Sequence, residues 1–200
     1  MHIGELHERL AVLESGPPSS FPGVIGVGGT DGASTDGAGV LFPSSFNDSS
    51  DSNTLDDYEE GIWSCTLVTT GTDFASVTYD AATGGRYTKI GNLVHIQGLL
   101  RTDAVDTTGA TGTVRLGNLP FAAVAGSGSG VIGTSALCVG QVQAWGGNQP
   151  IQAQVAAGNT TITLLYKTTI AGAASLLAIA DVGTGANANF IYFAGTYIAG

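Results

Sequence analysis

An all-β fold is the class that this sequence predicts, on the basis of its glycine content, its sparse charge and its alternating segments. Glycine occupies 31 of the 200 positions, about twice its usual share, and only 11% of the residues are charged. A helical fold would place many glycines inside helices at up to about 1 kcal/mol each, whereas tight turns between strands accept glycine readily. From residue 55 onward apolar and polar residues alternate with the period of half-buried strands.

The first region, residues 1–15, predicts a short amphipathic helix. Ile3, Leu6, Leu10 and Leu13 follow one another at spacings of three, four and three, which is the apolar seam of a coiled coil. A helix of this length is marginal alone in water, so it either packs on its own domain or bundles with copies of itself. We expect these four residues to serve oligomerisation.

The second region, residues 16–54, is rich in Gly, Ser, Asp and Pro and has no lasting period. Such a stretch cannot fold alone, and we expect an extended arm that contacts a neighbouring chain or a larger assembly. Charge is concentrated at this end of the chain, because residues 1–60 contain eleven acids and one base, whereas residues 61–200 contain five of each. We expect no nucleic-acid partner, since phosphate binding needs a basic patch.

The third region, residues 55–200, predicts eight to ten short strands. Trp63, Cys65 and Leu67 share one face of the first strand. A hairpin is expected around Gly91-Asn92, with Tyr87, Val94 and Ile96 on one face. The remaining predicted strands are residues 75–79, 113–116, 139–145, 151–155, 161–167, 175–181 and 189–198, with 139–145 and 151–155 paired and the last interrupted near Gly195. Short strands with frequent turns favour an antiparallel β-sandwich, jelly-roll-like in topology.

Few residues in the sequence have the spacing that chemistry requires. His2, His7 and His95 lack metal-ligand spacing, and the carboxylates beyond residue 61 lie in turn-like settings rather than as a glycosidase pair. We therefore expect no catalytic residue, no metal and no cofactor. The free cysteines Cys65 and Cys138 are interpreted as small buried apolar residues.

Trp145 is the candidate binding residue. It stands beside Gly146-Gly147-Asn148, where an indole face could stack on a sugar ring of a receptor. The alternative is a core tryptophan at the end of a strand. A second candidate surface is the acidic string Asp56, Asp57, Glu59 and Glu60, which predicts a solvated turn before Trp63 or a contact with Arg86 or Lys89 of a neighbouring subunit.

Two strings resemble those of bacteriophage fibre and appendage proteins: LDDYEEGIW at residues 55–63 and YTKIGNLV at residues 87–94. The resemblance covers residues 55–200 and implies a trimeric jelly-roll module at the C-terminal end of a tail or head fibre, finishing near Gly195-Thr196-Tyr197. The chain departs from the family pattern at Ile62, Ser64 and Cys65, where Thr, Thr and Pro are commoner.

The resemblance implies a homotrimer whose first 54 residues contact other virion proteins and whose β domain meets a host surface glycan or protein. A capsid decoration or connector protein is the alternative, and a polysaccharide depolymerase is the third hypothesis. The charged first residues lack the apolar segment of a signal peptide, and the chain has no long apolar run. We expect a protein made in the bacterial cytoplasm, without membrane insertion, and located in the virion.

Overall fold

The computed structural model of this chain describes residues 24–26, 39–41, 57–126 and 133–200. The chain divides into two compact units, residues 1–57 and 58–200. In the first unit, strands β1 (Val24–Gly26) and β2 (Gly39–Leu41) pair in parallel. The predicted helix of residues 1–15, with Ile3, Leu6, Leu10 and Leu13, lies outside the described residues and stays a prediction.

The second unit consists mainly of antiparallel strands. They are β3 (Tyr58–Trp63), β4 (Thr66–Thr69), β5 (Ser76–Tyr79), β6 (Gly84–Ile90), β7 (Leu93–Asp106), β8 (Val114–Gly117), β9 (Ser135–Gln143), β10 (Gln152–Val155), β11 (Ile162–Tyr166), β12 (Ser175–Leu176) and β13 (Ala188–Ile198). In the described part of the chain the only helix is a 3₁₀ turn, Ile179–Asp181. The predicted β-rich class is confirmed.

One continuous sheet contains all eleven strands of this unit. Nine of them form a path in the order β3-β6-β7-β13-β9-β10-β11-β8-β4, while β5 pairs with β7 and β12 with β11. The two ends of the path, β3 and β4, are separated in sequence only by Ser64 and Cys65. Two residues bridge at most about 11 Å, so the ends of the sheet approach each other and the sheet curls into a half-barrel.

The core fills the concave side of the curled sheet. Trp63, Cys65 and Leu67 are all buried there, as their alternation predicts, but they do not belong to one strand, because β3 ends at Trp63 and β4 begins at Thr66. The hydrophobic core also contains Val94, Ile96, Leu100, Val114, Leu116, Val155, Ile162, Leu164, Leu177, Ile191, Phe193 and Tyr197. Burial of this many aliphatic and aromatic side chains is the main force that holds the curl.

Two neighbouring glycines make room for the largest rings of the core. Gly85 of β6 pairs with Gly98 of β7. A Cβ at Gly98 would lie 2.5 Å from Cζ of Phe193, and one at Gly85 would collide with the indole nitrogen of Trp63. The two rings therefore lie across the glycines and meet edge to face, with centroids 6.0 Å apart.

The predicted hairpin at Gly91-Asn92 forms, whereas the predicted pairing of residues 139–145 with 151–155 is wrong, because residues 153–155 pair with residues 135–137. In the β6–β7 hairpin Gly91 takes a φ of 57°, Tyr87 lies opposite Ile96, and Val94 lies two residues along on the same face. Strand β9 pairs with β10, with Leu137 opposite Ala153. Strand β9 ends earlier than predicted, because Ala144 takes a φ of 56° and turns the chain out of the extended conformation.

The predicted strand 175–181 is wrong beyond Leu176. The chain instead turns through the 3₁₀ segment Ile179–Asp181, where the Asp181 carboxylate accepts a hydrogen bond from the backbone N–H of Ala178 at 2.9 Å. This local hydrogen bond competes with pairing to a neighbouring strand.

The predicted interruption of the last strand near Gly195 is also wrong. Gly195 pairs with Ile96 on one side and Leu137 on the other, and β13 runs through it. A Cβ at this position would lie 2.6 Å from Cδ2 of Leu137. The glycine serves close packing within the sheet rather than a break.

Among the residues that the structure describes, none belongs to a helix with the length and apolar character needed to cross a bilayer.

Candidate functional site

The outer face is the side of β3, β6, β7, β13 and β9 that points away from the core. Partners in register across antiparallel strands present their side chains on the same side of a sheet. The pairings place four rows on this face: Ile62, Arg86, Gln97, Ala194 and Cys138; Glu60, Thr88, His95 and Thr196; Tyr58, Ile90, Leu93 and Ile198; and Gly84, Leu99 and Tyr192. The first row crosses all five strands.

Large apolar side chains are unusually exposed on the outer face. Ile62 is 80% exposed, and the others with more than two fifths of their surface exposed are Tyr58, Ile90, Leu93 and Tyr192. They form two groups, Tyr58, Ile90 and Leu93 in one row and Ile62 and Tyr192 beside the cleft, with the polar row of Glu60 between them. Single exposed apolar residues are normal, whereas groups of them on one surface often mark an interaction site. The outer face is therefore the strongest candidate for a functional surface in the described residues.

A cleft of about 610 Å³ lies within the outer face. Its floor is made of small residues, among them Gly84, Gly140 and Ala194, and its walls include Ile62 and Tyr192. Arg86 and Gln97 also line it, so an apolar depression has a guanidinium and an amide within it. Such a lining can accept an apolar side chain or ring together with a neighbouring carboxylate or carbonyl oxygen.

The acidic string occupies an edge strand. Tyr58–Trp63 pairs along its whole length with β6, so the predicted solvated turn is wrong for these residues, although Glu59 and Glu60 are exposed as expected. The reason is the register, which places Glu59 opposite Lys89 and pairs one side of this stretch with β6. Glu60 accepts a hydrogen bond from the Tyr58 hydroxyl at 3.0 Å.

Glu59 also controls a neighbouring tyrosine. The Tyr87 hydroxyl donates a hydrogen bond to Oε1 of Glu59. Because that hydrogen bond and the nearby negative charge favour the neutral phenol, the pKa of Tyr87 rises to about 12. The Tyr87 ring packs edge to face on the Phe121 ring. The Lys89 ammonium lies 5.4 Å from the centre of the Phe121 ring.

The two cysteines differ in exposure. Cys65 is buried as predicted, and burial raises the pKa of its thiol. Cys138 is exposed, so the prediction of a buried side chain is wrong for it. On β9 the neighbours Leu137 and Val139 turn toward the core, and alternation therefore directs Cys138 to the outer face beside Ala194.

Trp145 lies in the loop after β9 and is only 8% exposed. Its indole N–H donates a hydrogen bond of 3.2 Å to the backbone carbonyl of Phe190. The ring belongs to the hydrophobic core, which is the alternative interpretation of this residue. Stacking on a sugar would require the indole face to leave the core, and the glycan contact at Trp145 stays a prediction.

His95 points outward from β7, as the alternation predicts, and its Nδ1 lies 3.4 Å from Oγ1 of Thr196. In the described ranges no group of three or more His, Cys, Asp or Glu side chains could hold a metal ion. His2 and His7 lie outside those ranges.

A second cleft of about 610 Å³ lies by the β3–β4 junction and is lined by Trp63, Thr83, Asn118 and Pro120 among others. The Trp63 indole N–H is buried and has no hydrogen-bond partner within the described residues. An unpaired buried donor costs free energy, so a water or a ligand oxygen that reached this N–H would be favoured.

The outer face could have been anticipated only in part. Alternation alone distinguishes two sides of a strand, but Tyr58, Ile62, Ile90 and Leu93 come from three strands whose apolar residues occur on both sides. Only the pairing order shows that these residues form one surface. No family model, curated protein or solved structure matches this chain.

Proposed function

We propose that this chain is a structural subunit of a bacteriophage particle, a homotrimeric fibre or appendage protein without catalytic activity. The observation that carries the proposal is the outer face, where large apolar side chains such as Ile62 stand exposed on a well-packed sheet. A chain that functions alone gains nothing from this exposure, whereas a subunit buries it on assembly.

The two strings that resemble fibre proteins lie next to each other in the sheet. Residues 58–63 and 87–90 belong to the adjacent strands β3 and β6, and residues 93–94 continue into β7. The strings therefore form one patch at the edge of the sheet rather than two unrelated segments. In this proposal the curled sheet is a jelly-roll-like sandwich, preceded by a coiled-coil helix at residues 1–15 and an arm at residues 16–54.

The roles of the regions follow from this organisation. The helices of residues 1–15 bundle through Ile3, Leu6, Leu10 and Leu13, and the acidic arm contacts other virion proteins. The β domain is displayed on the particle and attaches it to a host surface glycan or protein. A capsid decoration or connector protein is the alternative, and it shares every feature except host attachment.

Two measurements test the proposal. Light scattering on the purified full-length protein is expected to give three times the 20.0 kDa chain mass, and a stable single chain would contradict it. Antibody labelling of purified virions, with mass spectrometry of their proteins, is expected to place the chain on the particle. Binding of the protein to host cells then separates attachment from decoration, and release of reducing sugar from capsule would instead indicate a depolymerase.

A further inference from the structure

The outer face has the composition of a protein–protein contact. Ile62 and Tyr192 line its cleft together with Arg86, and Glu60 lies two residues from Ile62 on the same edge strand, β3. Aromatic residues and arginine are enriched in contacts between proteins, and charged groups are concentrated at the rim. The most exposed side chain of this face, Ile62, is apolar. The free energy gained by covering such side chains comes mainly from removing their apolar surface from water.

The charges on and around this face select the kind of partner. Arg86 and Glu60 have opposite signs on the same face, and within the described residues Arg86 has no ion-pair partner. The β unit, residues 58–200, contains seven acids and five bases, so its copies repel only weakly. A face with both signs can pair Arg86 of one copy with Glu60 of the next. A nucleic acid or an anionic membrane would need an excess of bases.

The relief of the face also fits a copy of the same chain. The cleft of about 610 Å³ lies directly beside the protruding Ile62 side chain. In a ring of three identical subunits every contact is head to tail, so the projecting Ile62 of one copy would enter the depression on the next copy rather than meet its own counterpart. Of the large exposed apolar residues of the described chain, Ile62 and Tyr192 line this cleft, whereas Ile151, Ile170 and Leu176 do not.

The geometry points to the outer face as the contact between copies of this chain, with Ile62, Tyr192 and Cys138 all covered by the neighbouring copies. This inference rests on the proposed function and specifies which surface the assembly uses. In this arrangement the outer side of β3, β6, β7, β13 and β9 faces the neighbouring subunits.

Cys138 reports on the contact in the unmodified protein. Its thiol is exposed on the outer face of the single chain, whereas Cys65 is buried in the core. In the assembled full-length protein, we expect a maleimide to react with Cys138 at least about tenfold more slowly than with free cysteine, because a neighbouring subunit covers the thiol. Mass spectrometry of the labelled peptides identifies which cysteine has reacted, and Cys138→Ser gives the background.

Ile62→Glu tests the same contact at its most exposed apolar side chain. A carboxylate there must lose its water when the face is covered, which opposes assembly. The reaction at Cys138 is expected to rise at least about tenfold, toward the rate of free cysteine. The matched control is Ile170→Glu, since Ile170 is fully exposed and lies away from this face. It should leave the protection of Cys138 unchanged, and near-unchanged circular dichroism checks that both variants fold.

The outcomes separate the two proposals. A threefold mass with rapid labelling of Cys138 in the unmodified protein would place the contact elsewhere and overturn only this inference. Protection that persists in Ile62→Glu, or that is lost equally in Ile170→Glu, would also overturn it. A single-chain mass would overturn both this inference and the proposed function.

Discussion

The Glu59 carboxylate favours the protonated form of the Tyr87 hydroxyl, and a tyrosine titration can test this effect. The ordinary pKa of tyrosine is 10.0, and that of Tyr87 lies at about 12 because its hydroxyl donates to the Glu59 carboxylate. Tyr197 also reaches about 12, in its case because it is buried. Raised values mean that the folded chain retains protons which the unfolded chain has lost.

The free energy of unfolding is therefore expected to fall as the pH rises from about 10 to about 12. The stabilisation is complete below pH 10, where folded and unfolded chains are both protonated. We expect a titration of tyrosine absorbance at 295 nm to show late-titrating groups, and Glu59→Gln to return the pKa of Tyr87 toward its ordinary value. The contribution of Tyr197 should persist in that variant. A titration unchanged by Glu59→Gln would contradict the assignment.

At the level of the paired strands β6 and β7, Gly98 leaves room on the inner side of the sheet for the Phe193 ring. A methyl group at Gly98 would lie 2.5 Å from Cζ of Phe193, whereas one at Gly84 would have only a backbone oxygen at 3.8 Å. We expect Gly98→Ala to lower the free energy of unfolding by about 1 to 3 kcal/mol. Urea unfolding measures the loss, and Gly84→Ala, in the same pair of strands, should change it little.

Asp181 fixes the junction between the β9–β10 loop and the 3₁₀ turn. One carboxylate oxygen accepts hydrogen bonds from the backbone N–H and the side-chain amide of Asn148, and the other accepts one from Ala178. Asp181 is 5% exposed. Removing the carboxylate leaves three donors without an acceptor, so we expect Asp181→Ala to cost about 2 to 4 kcal/mol.

Thermal or urea unfolding of Asp181→Ala measures this cost. The matched control is Asp103→Ala, since Asp103 accepts only one long hydrogen bond, of 3.4 Å, from the backbone N–H of Asn187. Equal losses in the two variants would show that the junction does not depend on Asp181.

Local patterns in the sequence predicted the elements better than the surface that they form. The Gly91-Asn92 turn and the alternation of Trp63, Cys65 and Leu67 were sufficient because both depend on neighbouring residues. The 3₁₀ turn at Asp181 could not be predicted, because its carboxylate also binds Asn148, 33 residues away. The exposure of Cys138 depends on which side of β9 faces the core, and that is decided by pairing with β13.

The β unit, residues 58–200, owes its curl to a segment that crosses between the ends of its sheet. Ser64 and Cys65 connect the two terminal strands of the path, so β3 and β4 cannot separate without opening the core. The curl makes one side of β3, β6, β7, β13 and β9 concave and filled with core side chains, and the proposed contact uses the other side. The same five strands thus pack the core on one side and form the proposed contact on the other.

Assembly through this face makes the two charges on it interdependent. Arg86→Glu and Glu60→Arg each give the face a single sign, so copies should repel, and the contact should weaken by about 10- to 100-fold. The double variant restores both signs and is expected to restore protection of Cys138 from maleimide. A general effect of net charge predicts otherwise, because Glu60→Arg brings the net charge of -10 closer to zero and would strengthen association.

Lys167→Glu is the control for net charge, because it replaces a positive with a negative side chain as Arg86→Glu does. Lys167 is exposed and does not line the cleft. In the Lys167→Glu variant, maleimide should react with Cys138 at the same rate as in the unmodified protein, because the changed charge lies outside the contact. If Lys167→Glu weakens protection as much as Arg86→Glu does, long-range repulsion accounts for both and the paired charges have no role. Restoration only in the double variant, by contrast, requires that Glu60 and Arg86 meet their counterparts across the contact.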